Sequence, residues 1–390
     1  MLAWADHASA DALIRVDPAI YPEWRPLAYA TIWLEHRLVQ LSEVAAHHAV
    51  NILLWALCAW LVFLIVDALT ASPFSALAAA GLLLVDQRAG SAVIWIVERQ
   101  MTLACACGLA AILILVRSGP TVLSWRAALL MTALLLASPL GKEYGLAFAL
   151  AIAIHGAVHR RRDHLVPAVL AAATYAGLRL IILNGGALNR YCEEMGFFVE
   201  ASMQCVAPLQ GENWRQMLYN SGATLVGSVV PGLLSDDGAL LLRPARLALA
   251  IPVLALAAVG AAARPRVGVL AGLVTLLTAA LSFYLYRHRN QLPVACVLAM
   301  LAGCGLAAWQ RLLAHVGSTR LLRTALAAGI SVAALLQVVR SHERLRREVI
   351  EAVSAEPCEV DVAHRDFVAA FAQRVTIRYD LPNTSCLPRE

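Results

Sequence analysis

Ser138-Pro139-Leu140-Gly141-Lys142-Glu143-Tyr144 separates two apolar runs, 127–136 and 145–158. A charged pair set between two such runs marks the place where membrane-length segments meet a polar boundary. Lys142 is the one lysine in the chain, and every other strongly basic residue is arginine. An ammonium is a compact point charge that a guanidinium does not duplicate. Two readings follow from the residues. Lys142-Glu143 is either a pair snorkelling at a helix end or part of a charged site at the mouth of a cavity embedded in the membrane.

Outward from this stretch the chain keeps the same character. Its 390 residues are 60% hydrophobic and 15% charged, with a mean hydropathy of +0.69, and the apolar residues fall in long blocks. That composition belongs to a polytopic membrane protein rather than a soluble domain. The net charge of +5 comes from arginines in short clusters between apolar blocks, which is how orientation signals are distributed. No basic stripe with interleaved aromatics is present, so nucleic acid is set aside as a partner.

The expected fold is all-α, a polytopic bundle of about ten membrane spans with interfacial helices on its outer face and a small extracytoplasmic C-terminal cap. The blocks that read as spans are 48–68, 73–87, 101–116, 127–140, 143–159, 165–183, 246–262, 267–285, 291–309 and 324–340. The short ones are expected to be tilted or partly buried among neighbours. The organisation is 1–47 as an extracytoplasmic loop and interfacial helix, 48–340 as the transmembrane domain with an outer loop at 184–245, and 341–390 as an extracytoplasmic tail. Residues 26–44 read as an interfacial helix anchored by Trp24, Tyr29 and Trp33. No signal peptide or apolar span precedes Asp6. Either the chain starts outside the membrane by an unusual route or its first helix is missing. The stretch 214–234, rich in Gly and Pro, reads as interfacial or re-entrant.

Placing Met1 outside and alternating through the blocks puts 71–73, 117–126, 159–162, 264–266 and 311–323 in the cytoplasm, and four of these five loops carry repeated arginines. The same arrangement puts Cys192, Cys205, Cys358 and Cys386 outside. There they form local disulfides, Cys192 with Cys205 and Cys358 with Cys386, or remain four free thiols. Cys58, Cys105, Cys107, Cys296 and Cys304 lie inside apolar blocks and read as small hydrophobes.

On this topology the membrane-proximal charges collect on the outer side: Asp6-His7, Glu23 and Arg25, Asp86 and Arg88, Glu98-Arg99, Lys142-Glu143 and the Arg287-His288-Arg289 cluster, all but Asp6 and His7 at the end of an apolar block or its interfacial flank. One convergent polar cavity would explain them together, and it suits an anionic head on a lipid tail, with Arg as a bidentate clamp and Lys as a point charge on phosphate. Each group also has a plainer reading as a neutralising pair, a loop charge or a headgroup contact. His155 and His159 stand four apart, a metal-pair spacing beside an arginine cluster. No Gly-rich phosphate loop, Walker motif or Ser/His/Asp order with a known context is present.

Several segments resemble those of a known family. Trp24-Arg25-Pro26-Leu27, then His48-Ala-Val-Asn51-Ile-Leu-Leu, resembles the aromatic-Arg-Pro-Leu and His-x-x-Asn-Leu-Leu segments of membrane glycosyltransferases of the GT-C type. The likeness extends to tetratricopeptide-bearing O-mannosyltransferases and their repeat-free bacterial relatives. Val93-Ile-Trp95-Ile-Val-Glu98-Arg99, Ser138 to Tyr144 and Arg287-His-Arg-Asn-Gln-Leu-Pro293 are similar to further segments of that family in the same order.

The resemblance implies a polyprenyl-phosphate sugar donor bound between helices and transfer of the sugar to a lipid, glycan or protein acceptor on the extracytoplasmic face. It implies a place in a bacterial inner membrane. The family's catalytic base lies in the first outer loop, and Asp6 is the position that matches it, although Asp6-His7 stands where the family has paired acids. Arg99, Lys142, Arg287 and Arg289 are the implied ligands of the donor phosphate, with His7, Arg25, Glu98 and Glu143 supporting them. Some relatives use a divalent cation, and no ligand set here compels one. The tail lacks tetratricopeptide repeats. Two alternatives stay open, a transporter or flippase of a lipid-linked saccharide and a catalytically inactive truncated relative. A transporter would be expected to carry broken helices in paired repeats, or ionisable groups near the bilayer midplane.

Overall fold

Long apolar blocks with few internal breakers can satisfy their backbone only as helices, and helices are what they form. The computed structural model describes residues 25–39, 44–86, 99–183, 214–229, 244–282 and 291–314, all within the larger of two units of the chain, Met1–Ile330. The helices are α1 (Pro26–Val39), α2 (Val44–Thr70), α3 (Pro73–Leu84), α4 (Arg99–Ser118), α5 (Trp125–Gly141), α6 (Leu146–Val158), α7 (Arg162–Leu183), α8 (Trp214–Val229), α9 (Pro244–Ala263), α10 (Pro265–Leu281) and α11 (Leu292–Ala314). No strand occurs among the described residues.

Four helical segments are long and apolar enough to cross a membrane: His47–Thr70, Arg99–Ser118, Arg162–Ile182 and Leu292–Ala314. The remaining expected blocks up to residue 309 also coincide with helices, of 12 to 20 residues. At 12 residues α3 spans roughly 18 Å, well under a bilayer core. It starts at Pro73, whose missing N–H suits a first helical turn, and the Ser72 hydroxyl accepts from Ser75 N–H. The block 324–340 and the tail 341–390 lie outside the described residues.

Neighbouring helices pass the packing around the bundle: α2 on α4, α4 on α5, α5 on α7, α7 on α6, α6 on α10, α10 on α11 and α11 back on α2. Of the four membrane-length helices α11 is the most enclosed. Small residues let its backbone come close. A Cβ on Gly260 of α9 would run into the Leu301 carbonyl of α11, and one on Gly305 would run into the Leu256 carbonyl of α9, a reciprocal contact of the kind membrane helices use to approach.

Two expectations are refined. The helix at 26–44 is Pro26–Val39 in the described residues, and it is more than a surface float. Its Ala28 and Ile32 are buried, and it packs on α4 and α5. The stretch 214–234 begins with a helix of 16 residues that lies against α10 and buries Asn220.

Candidate functional site

The site forms where the α5–α6 hairpin breaks. Ser138 and Pro139 weaken the last turn of α5. Lys142 takes an extended conformation, and Glu143–Gly145 makes one tight turn before α6 starts. Close backbone packing fixes the break. A Cβ added at Gly141 would lie 3.1 Å from Gln100 O and 3.2 Å from Ala104 N of α4, and one at Gly145 would collide with the Ser138 backbone. The Ser138 hydroxyl donates to Ala104 O at 2.7 Å, tying the break to α4. Lys142 N–H donates to Ser138 O at 3.2 Å, so the lysine sits where the negative end of the α5 dipole favours a cation.

Glu143 draws cations from three directions. Arg25, just before α1, donates Nε to Oε2 at 3.2 Å and Nη2 to Oε1 at 3.0 Å, a two-pronged clasp of carboxylate by guanidinium. Lys142 and Arg179 of α7 also lie within electrostatic reach of the Glu143 carboxylate. Lys142 Nζ is 5.9 Å from the centre of the Tyr144 ring. Arg179 donates Nη1 to the Tyr175 hydroxyl at 2.7 Å, and its guanidinium lies 5.9 Å from the Tyr175 ring centre. Arg25, Lys142, Tyr144 and Tyr175 are buried. Arg25, Lys142 and Arg179 thus gather near the Glu143 carboxylate in a low-dielectric setting.

Arg99 behaves differently from the expected phosphate ligand. It is wholly buried, and its fork is committed to protein. Nε donates to Asn51 Oδ1 at 2.8 Å, Nη1 to Glu35 Oε1 at 2.6 Å and Nη2 to the His47 carbonyl at 2.9 Å. The second Glu35 oxygen lies 2.8 Å from His47 Nδ1. This group knots α1, α2 and α4 together. The geometry therefore gives Arg99 a scaffold role, because the guanidinium that would fork a phosphate already forks its own neighbours.

The expected residues thus divide. Arg25, Lys142 and Glu143 come together; Arg99 stands in the adjoining knot. Asp6, His7, Glu98, Arg287 and Arg289 lie outside the described residues, as do Cys192, Cys205, Cys358 and Cys386. The described cysteines, Cys58, Cys105, Cys107, Cys296 and Cys304, are free thiols. Among the described residues no group of three or more His, Cys, Asp or Glu is placed to hold a metal ion. Sequence reasoning missed Glu35, His47, Tyr175 and Arg179. For Arg179 a signal existed: a lone arginine four residues after a tyrosine inside an apolar block, the spacing that puts both on one helix face.

No family model, no curated protein and no solved structure matches this chain. The case for a function therefore rests on the site itself.

Proposed function

We propose that the chain is an integral-membrane glycosyltransferase of the GT-C type that moves a sugar from a polyprenyl-phosphate donor to a lipid, glycan or protein acceptor. One observation carries the reading: Arg25, Lys142 and Arg179 converge on a helix break beside a single carboxylate. Such a cluster is suited to a phosphate that gains charge as its sugar departs. In the proposed reaction the acceptor hydroxyl attacks the anomeric carbon, the bond from that carbon to the phosphate oxygen breaks, and the lipid phosphate leaves as an anion. Asp6 takes the hydroxyl proton. Glu143 holds Arg25 in place, and Arg287 and Arg289 add to the positive wall. The full bundle has about ten spans in a bacterial inner membrane. The arginines at 117–126, 159–162 and 264–266 support a cytoplasmic face opposite the Lys142 end.

Purified protein supplied with a polyprenyl-phosphate sugar donor tests this directly. Transfer is expected from the native chain and lost in Asp6→Asn and in Lys142→Ala. Undiminished transfer by both variants would sink the site. Tight donor binding without any transfer would favour the flippase or the inactive relative.

A further inference from the structure

Gln291, the residue before α11, is wholly buried, and neither its Oε1 nor its Nε2 has a hydrogen-bond partner. Among the described residues it is the one side chain with two such atoms. The other end of the same helix shows the ordinary arrangement: Gln310 Oε1 accepts from Ser72 Oγ at 3.3 Å and from Ser75 Oγ at 3.2 Å. A buried amide is costly to leave unmatched, and with both ends open it makes no difference which way the amide is turned. Leu292, Pro293 and Val294 are buried as well, so the bundle encloses this end of α11.

Hydrogen bonds fix which end of the bundle this is. Arg264, just before α10, donates Nη2 to Leu69 O at 2.6 Å, near the end of α2, and Gln310 bonds Ser72 just beyond it. The start of α10 and the end of α11 therefore lie together at the Thr70 end of α2. The other end of α2 is tied to the start of α4, where Arg99 Nη2 donates to the His47 carbonyl, and the first turns of α4 are tied to the α5–α6 break by Ser138. Gln291 and the last turn of α10 thus stand at the end that carries Lys142, and α10 lies against both α11 and the Glu143–Gly145 turn. That last turn of α10 holds a second open group. Thr278 is wholly buried with its Oγ1 unpartnered, while the Ser282 hydroxyl donates to Thr278 O at 2.9 Å.

The chemistry of these open atoms selects the occupant. An amide offers donors on nitrogen and an acceptor on oxygen. An ionised phosphate only accepts, so it would leave Oε1 unmatched, and a cation would leave Nε2 unmatched. Hydroxyl groups both donate and accept, so a pair of them matches both ends. We infer that Gln291, with Thr278, binds hydroxyl groups of the sugar on the polyprenyl-phosphate donor, a role that rests on the glycosyltransferase reading and gives the sugar a recognition element separate from that of the phosphate.

Binding to the full chain in neutral detergent is measured with undecaprenyl phosphate and with its glucosyl, mannosyl and galactosyl phosphodiesters. At least one ester is expected to bind about tenfold more tightly than the bare carrier. Gln291→Leu should erase that advantage while leaving affinity for the bare carrier in place, and Thr278→Val should reduce it severalfold. Because Gln291→Leu removes polar atoms that have no partner, its unliganded unfolding midpoint should hold or rise; a lower midpoint would make Gln291 a structural residue. Lys142→Ala should weaken carrier and esters alike. No preference for any ester, or a preference that survives in Gln291→Leu, overturns the sugar role alone. Failure of the native chain to bind either carrier or ester sinks the glycosyltransferase reading, and the sugar role with it.

Discussion

At the junction of α1, α2 and α4 one guanidinium meets three acceptors, whereas at the α5–α6 break three cations meet one carboxylate. Both places bury charge in an apolar bundle, but the first gathers acceptors around a cation and the second gathers cations around an acceptor. Burial of an ion is stabilised when its partners match it in number and geometry. An arginine that finds acceptors for its whole fork is a fastener. Cations gathered at one carboxylate beside a broken helix make a different kind of place, and that distinction separates Arg99 from Lys142 here.

Replacing the fastener should do the most damage. Arg99→Leu leaves the half-buried Glu35 carboxylate without its guanidinium and takes the donor from the knot of α1, α2 and α4, and a loss of about 3 kcal/mol is expected, read as a large drop in the unfolding midpoint. Lys142→Ala should lower donor affinity about tenfold while moving the midpoint far less than Arg99→Leu does. If both variants unfold alike, the two regions do not differ in the way described. Glu143→Gln keeps the side chain's shape and removes its charge, so affinity for the donor phosphate should rise severalfold in a binding titration; a fall would make Glu143 a direct contact of the guest. The smallest effect is expected of Ser138→Ala. It removes the bond to Ala104 O at a cost of about 1 kcal/mol, visible as a slight shift in unfolding with donor affinity unchanged.

Much of the architecture was legible in the sequence because apolar blocks report helices without help from distant residues. The start of α4 at Arg99, the break at Lys142 and the hairpin turn at 159–161 were each marked by charge at the end of a run. The site was legible only in part. Lys142-Glu143 and Arg25 announced themselves by composition and context, but their pairing, 118 positions apart in the chain, is a property of the fold. The surroundings of Arg99 were hidden for the same reason: its acceptors, Glu35, His47 and Asn51, sit on two other helices, and nothing local tells where a guanidinium will donate. His47 and His48 illustrate the limit. They are adjacent and chemically identical, yet His47 is buried in the knot and His48 is half-buried, a difference set by helix phase against α1.

The paired glycines of α9 and α11 bear on which helices of such a bundle can shift against each other. Where Gly260 faces the Leu301 carbonyl and Gly305 faces the Leu256 carbonyl, backbone touches backbone with no side chain between them to change rotamer and yield. Sliding one helix along the other would drive a methyl or larger group into a carbonyl before a new register was reached. These two helices are keyed like a splined shaft, so any movement of one helix past another must run along some other seam.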